Sequence, residues 1–322
     1  MKKVLFSLAV LTAVFSSCSK DEKDPPIIGN FSISGQVAKN SARFSTWIKE
    51  DTLGVFVTSD GKPQVNLVYT PSEYASYDSR MAEFGYTAIA SGTSVGDVVL
   101  NAASEVAGFK EGTHTIYAYY PYKASASDIT AVPVPDITLQ DPSTVGQKFL
   151  GNCSYKWVFA YAKKSVSEYS AATVDLGEFK TPVCMINTAA LPFAEDADGR
   201  TLVKLNITAD GTIAYKDATF NLETEKFNGE PASGIDYIMK DEEISTGWFG
   251  VSTRNPAIFV INADIATAKN YNFTLTATLD NGDVYAVTVP AKQNSFTDWE
   301  TKETTVLDYL NLDWGDKVFE KK

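Results

Sequence analysis

Three cysteines, a single histidine and 40 carboxylates are the side chains through which this 322-residue chain could do chemistry. His114 lies in Thr113-His114-Thr115-Ile116-Tyr117, an alternation that predicts a strand. No serine or cysteine nucleophile motif accompanies it, so a structural role is expected rather than proton transfer. Cys153 and Cys184 lie in no CxxC pair, and His114 cannot complete a zinc site with them at a usual spacing. In an oxidising compartment Cys153 and Cys184 form a candidate disulfide, with two buried thiols as the alternative. The acidic run Glu195-Asp196-Ala197-Asp198-Gly199 has Ala194 and Leu205 where a helix-loop-helix calcium loop needs carboxylates, so it reads as a surface turn. Asp280-Asn281-Gly282-Asp283 reads likewise. A pair of glycosidase carboxylates is defined by separation in space, which sequence spacing cannot supply. No phosphate loop, dinucleotide fingerprint, serine elbow or HExxH helix is present. The expectation is a chain that is not an enzyme, with no catalytic residue, no metal site and no cofactor.

Cys18 is different, because its surroundings specify a reaction. Lys2 and Lys3 precede an apolar run from Val4 to Phe15, then Ser16, Ser17 and Cys18, then the charged string Ser19 to Asp24. A basic start, a short apolar stretch and small residues before a cut site describe an export signal. The run is shorter than the roughly 20 residues of a membrane span. A cysteine placed directly after the small pair resembles a bacterial lipobox. That resemblance implies cleavage before Cys18 and lipid, palmitate included, on its thiol, which places the protein on the outer membrane. Residues 1–17 are then the signal peptide, and 18–29, with Pro25-Pro26, a solvated tether.

The elements behind these residues are strands. The composition is 44% hydrophobic, 12% aromatic and 21% charged, that of a globular chain. Tyr and Phe dominate the aromatics, and β-branched residues are frequent, which favours β-structure. A net charge of −12 argues against nucleic acid as a partner. Strands are expected at Asn30 to Gln36, Thr52 to Thr58, Gln64 to Tyr69, Glu83 to Ala90, Asp97 to Leu100 and His114 to Tyr120. Thr70-Pro71 predicts the start of a helix reaching about Ser79. Ile129 to Leu139 suits an edge or a connection, and the apolar run Lys156 to Ala162 a central strand. Ala172 to Phe179 and Val183 to Asn187 follow.

Beyond residue 190 a second β series begins. Leu202 to Thr208 and Thr212 to Phe220 are expected to pair across Ala209-Asp210-Gly211, and Tyr271 to Leu279 with Val284 to Val289 across Asp280 to Asp283. Ala257 to Asn262 reads as a strand, Ala263 to Lys269 as a turn or two of helix. Thr297 with Glu300 offers a helix cap, while Leu310, Leu312 and Trp314 alternate as a terminal strand. The expected architecture is all-β, two β-sandwich domains in tandem (30–190 and 191–322) with a few short helices.

Three stretches taken in order resemble the fimbrillin superfamily, subunits of type V pili of gut and oral Gram-negative bacteria. They are Ala42-Arg43-Phe44, Trp47 and Asp51 to Phe56; then Tyr117-Ala118-Tyr119-Tyr120-Pro121-Tyr122; then Trp157 to Ala162 followed by Val174 to Phe179. The resemblance implies transthyretin-like sandwiches and a fimbrium assembled by strand exchange. In such a subunit the first strand is cut away after an Arg or Lys, and a neighbour's C-terminal strand refills the groove. Carried onto this chain, Asn30 to Gln36 is the strand that leaves, Arg43 the cut site with Lys39 second, and Leu310, Leu312 and Trp314 the donor. Partners would be other pilin subunits, the outer-membrane lipid through Cys18, and surface ligands on host or bacterial cells. Two alternatives stand beside this reading. One is a surface glycan-binding lipoprotein that uses Trp47, Trp248 and Trp299 for stacking. The other is a pilus anchor that keeps its lipid.

Overall fold

The computed structural model describes residues 32–37, 47, 51–58, 66–74, 81–89, 98–101, 105–109, 114–141, 157–166, 173–247, 250–302 and 304–322. Their regular structure is almost entirely strand, as the composition and alternation led us to expect. The first half holds β1 (Ser32–Val37), β2 (Leu53–Thr58), β3 (Asn66–Tyr74), β4 (Met81–Ile89), β5 (Val98–Asn101), β6 (Glu105–Phe109) and β7 (His114–Tyr120). After the short β8 (Val132–Pro133) and β9 (Leu139–Gln140) come β10 (Ala160–Val166) and β11 (Thr173–Phe179). A seven-stranded sheet runs β10-β7-β2-β3-β4-β1-β11, and β5 pairs with β6. Inside it, the apolar run of β2, Leu53 to Val57, is buried on both faces. The sheet curls until its two ends meet: Tyr161 and Lys180 exchange backbone hydrogen bonds of 2.9 and 2.8 Å.

Two expectations fail in this half. The helix from Thr70 is absent as far as Tyr74, because β3 continues through Thr70 and Pro71 and pairs with β4 down to Tyr74 opposite Ala82. A register shift between Pro71 and Glu73 marks a bulge, where a residue without an N–H costs the ladder little. The apolar run before Ala162 is not a central strand either. β10 starts only at Ala160, ends the sheet order, and exposes Lys163 and Lys164. Phe159 and Tyr161 are buried by Phe220, whose ring lies 5.1 and 4.9 Å from theirs, so a contact across the fold explains the apolar sequence.

The second half holds β12 (Cys184–Asn187), a 3-10 turn at Glu195–Ala197, β13 (Thr201–Ala209), β14 (Tyr215–Asn221), β15 (Lys226–Pro231), β16 (Ile235–Gly247) and β17 (Gly250–Thr253). β18 (Ile258–Ile261), helix α1 (Ile265–Ala268), β19 (Asn272–Leu279), β20 (Val284–Thr297), β21 (Thr304–Leu312) and β22 (Glu320–Lys321) complete it. A ten-stranded sheet runs β17-β16-β13-β19-β20-β21-β12-β18, with β22 on β20 and β9 on β16. The alternation of β19 is strict, with Phe273, Leu275, Ala277 and Leu279 buried. β20 pairs with β19 up to Pro290 and with β21 from Ala291, so one strand serves both layers. The Asp280–Asp283 hairpin forms as expected.

The hairpin expected across Asp210 does not form: β13 pairs with β16 and β19, while β14 pairs with β15 and β8. Asp210 instead accepts hydrogen bonds from Asn272 N (3.0 Å) and Nδ2 (2.8 Å). Gly211 lies so close under the Tyr271 ring that an added Cβ would sit 2.2 Å from it, and the chain leaves the sheet there. At the other tip Thr297 ends β20 and no helix follows. Asp298 Oδ1 accepts from Glu300 N and Thr301 N in a turn leading to β21.

Candidate functional site

β1 occupies the position on which the assembly reading depends. It lies inside the sheet, parallel to β11 on one side and antiparallel to β4 on the other. Its alternation turns Ile33 and Gly35 inwards. Full burial of Ile33 contributes about 1.5–3 kcal/mol. Gly35 has no space for a side chain: a Cβ would stand 2.5 Å from Phe179 Cε2. Trp47 closes over this point, donating Nε1–H to Gly35 O at 3.1 Å and meeting Phe179 and Tyr120 edge-on at 5.1 and 5.9 Å. A register shift between Ser34 and Gln36 faces Gly177, which is in the left-handed region (φ 75°) with its N–H on Asp175 Oδ1. One strand therefore fills a slot whose two walls, β4 and β11, have backbone groups aimed into it.

Between β3 and the end of β7, Tyr119 and Asn66 form a buried pair. Asn66 Nδ2 lies within 3.0 Å of Tyr119 Oη, Lys123 O and Ala126 O. Burial pushes the Tyr119 phenol up to about 12, against the pull of its hydrogen bonds to Lys123 and Asn66. The two halves of the chain meet at Glu225, a non-glycine residue with φ 59° in the β14–β15 turn. Its carboxylate takes Lys163 Nζ at 2.8 Å, Lys180 Nζ at 3.0 Å and the Tyr161 hydroxyl at 2.7 Å. The Lys163 ammonium, opposed in part by burial, holds Glu225 down at about 2. Burial, and then the Glu225 carboxylate, push the Tyr161 phenol up.

Cys18, Lys39, Arg43 and Cys153 lie outside the described residues, as do residues 1–17 and 18–29. Cys184 is buried in β12. Leu310 and Leu312 are buried in β21, which pairs with β20 on one side and β12 on the other. Trp314 follows, donating Nε1–H to Thr188 O at 2.6 Å. The structure does not bring the C-terminal strand and β1 together in one sheet. Among the glycan-stacking candidates, Trp47 is 5% exposed and cannot present a face to a sugar, which corrects that expectation. Trp248 lies outside the described residues, and Trp299 is 74% exposed at the β20–β21 tip. Among the described residues no group of three or more His, Cys, Asp or Glu could hold a metal ion. Sequence reasoning missed the Glu225 cluster, because a turn glutamate carries no local mark of its distant lysines.

No protein-family model matches the chain. No curated protein matches it either. Solved structures to which the chain shows similarity include a proposed cell-adhesion protein from Bacteroides ovatus, 14% identical, with a TM-score of 0.47 over 87% of this chain and 97% of that one. A proposed cell-adhesion protein from Bacteroides uniformis is 14% identical, with a TM-score of 0.46 over 88% and 98%. The fimbrial anchor protein Mfa2 from Porphyromonas gingivalis is 9% identical, with a TM-score of 0.38 over 87% and 98%.

Proposed function

We propose that this chain is a structural or adhesive subunit of a surface fimbrium, exported as a lipoprotein on Cys18 and assembled by strand exchange into the β1 slot. The observation that carries this reading is the interior position of β1, with an edge of β4 and an edge of β11 to be satisfied once it leaves. Lys39 and Arg43 follow β1 directly in sequence, so one cut frees strand and lipid together. Partners are then other fimbrial subunits, and the location is the outer-membrane surface. The chain divides near residue 190 into two sandwich domains, with β12 and the 132–140 segment counted by their pairing with the second.

In this reading Leu310, Leu312 and Trp314 supply the donor strand, and β21 must first leave both β20 and β12. That embedding favours a second reading, a terminal or anchoring subunit that keeps its lipid and does not donate. Sequencing the mature N-terminus on intact cells, with and without a trypsin-like protease, separates the two. A start at Phe44 that reverts to Cys18 in Arg43→Ala is the outcome expected of a polymerising subunit. A start at Cys18 in the wild type under both conditions refutes removal of β1 and leaves the anchor.

A further inference from the structure

The slot that holds β1 reads the side chains of its occupant at successive positions. Ile33 pairs with Val174 of β11 and Phe84 of β4, and it is fully buried. Ser34 lies opposite Asp175, and its hydroxyl donates to Asp175 Oδ1 at 3.4 Å. Gly35 comes next, where a Cβ would stand 2.5 and 3.0 Å from two atoms of the Phe179 ring. Its φ lies outside the left-handed region, so this position requires space rather than backbone freedom. The ring has little room to retreat. Phe179 is fully buried, and the Trp47 indole meets it edge-on at 5.1 Å. The bulge in β11 fixes the register, because Leu176 and Gly177 together face the single residue Gly35. A strand that replaces β1 therefore meets an apolar position, a donor position and a position without room for a side chain, in that order.

The C-terminal strand of this chain meets that requirement in no register. Gly315 is the only glycine among residues 283–322, so every register but one sets a side chain against Phe179. With Leu312 in place of Ile33, the Trp314 indole falls where Gly35 stands, and Asp313 comes opposite Asp175. A carboxylate there has no proton to donate and faces a like charge. With Leu310 in place of Ile33, Leu312 takes the tight position and Asp313 comes opposite Glu178. The remaining register puts Gly315 beside Phe179 but buries Asp313 where Ile33 lies, an unpaired charge in an apolar site. We propose that the slot rejects this chain's own C-terminal strand and takes one from a different fimbrial subunit, carrying an apolar residue, a neutral hydrogen-bond donor and glycine in succession. This rests on the strand-exchange reading above and narrows it to a mixed fibre, in which no copy of this chain fills the slot of another.

The test uses the full chain with a specific protease site between residues 38 and 43, so that after cleavage β1 is held by the slot alone. Four fluorescent peptides then compete for the slot. They are residues 30–37, the same with Gly35→Leu, residues 308–315, and the last with Asp313→Ser and Trp314→Gly. The β1 peptide should exchange in, and its Gly35→Leu form should bind about tenfold more weakly or worse. The C-terminal peptide should stay out, and its doubly substituted form should enter. Entry of the unaltered C-terminal peptide as readily as the β1 peptide, or exclusion of its substituted form, overturns the selectivity and leaves strand exchange standing. Failure of the β1 peptide itself to exchange overturns the exchange reading and the proposal with it. In the uncut chain the same rule is read without exchange. Ile33→Leu alone should barely move the urea midpoint, whereas Ile33→Leu with Ser34→Asp and Gly35→Trp should lower it or prevent folding. Equal midpoints overturn the proposal.

Discussion

Replacing Glu225 by glutamine removes one charge from the junction between the two halves and leaves the shape of the side chain unchanged. Three contacts change. The Tyr161 hydroxyl keeps an acceptor but loses the charged one, a difference of about 1 kcal/mol. Lys163, whose side chain is 39% exposed, loses a 2.8 Å pairing of about 0.5–1 kcal/mol, and the more exposed Lys180 loses no more than about 0.5. The sum is about 2 kcal/mol at pH 7, or about 3 °C in Tm for a chain of this size. The wild-type carboxyl is held near 2 against an ordinary 4.5, so its folded value lies below its unfolded one. That stabilisation is complete above about pH 4.5 and is lost as pH falls towards 2, whereas glutamine titrates nowhere in the window. Thermal unfolding of both proteins from pH 7 to pH 2 should therefore show a gap that is constant above pH 5 and closes below it. A gap under about 0.5 kcal/mol at pH 7, or one that keeps its full size at pH 2.5, refutes the assignment of Glu225 as the junction's charged centre.

Two further substitutions probe the slot and the buried Asn66–Tyr119 pair. Gly35→Ala drives a methyl group into the Phe179 ring and should cost about 1–3 kcal/mol. Hydrogen exchange should then quicken along β1 and β11 and not along β19, and uniform loosening of both sheets would contradict the geometry drawn for the slot. Asn66→Leu takes one donor from Tyr119 Oη and from Lys123 O, which keep each other, and leaves buried Ala126 O without the Asn66 amide, a loss of about 1–3 kcal/mol by urea denaturation. A change under 1 kcal/mol would mean that water replaces the amide there.

Much of the strand inventory was legible from residue order, because burying one face of a sheet writes a period of two into the chain. Phe273, Leu275, Ala277 and Leu279 show it, and the Asp280–Asp283 turn names its own hairpin. Strand boundaries held wherever the turn chemistry was local. The failures have a common cause. Thr70-Pro71 carries the local mark of a helix start, but pairing with β4 overrides it. Ala209-Asp210-Gly211 carries the mark of a hairpin, but Asp210 finds Asn272 and the strands part. Phe159 and Tyr161 are apolar positions because the Phe220 ring, from the second half of the chain, packs on them, although β10 itself begins only at Ala160.

Residue order alone therefore settled that the chain is β-rich, where many of its strands fall, and, in β1 and β21, which residues face inwards, since these follow from local alternation and turn geometry. Which strands become neighbours was decided only in the tertiary structure. Only there does β1 come to lie between β4 and β11, β21 between β20 and β12, Glu225 within reach of two lysines, and the Phe179 ring against Gly35. Each of these is a meeting of groups far apart in the chain. Its free energy depends on what the rest of the fold has already buried, and no local pattern records it.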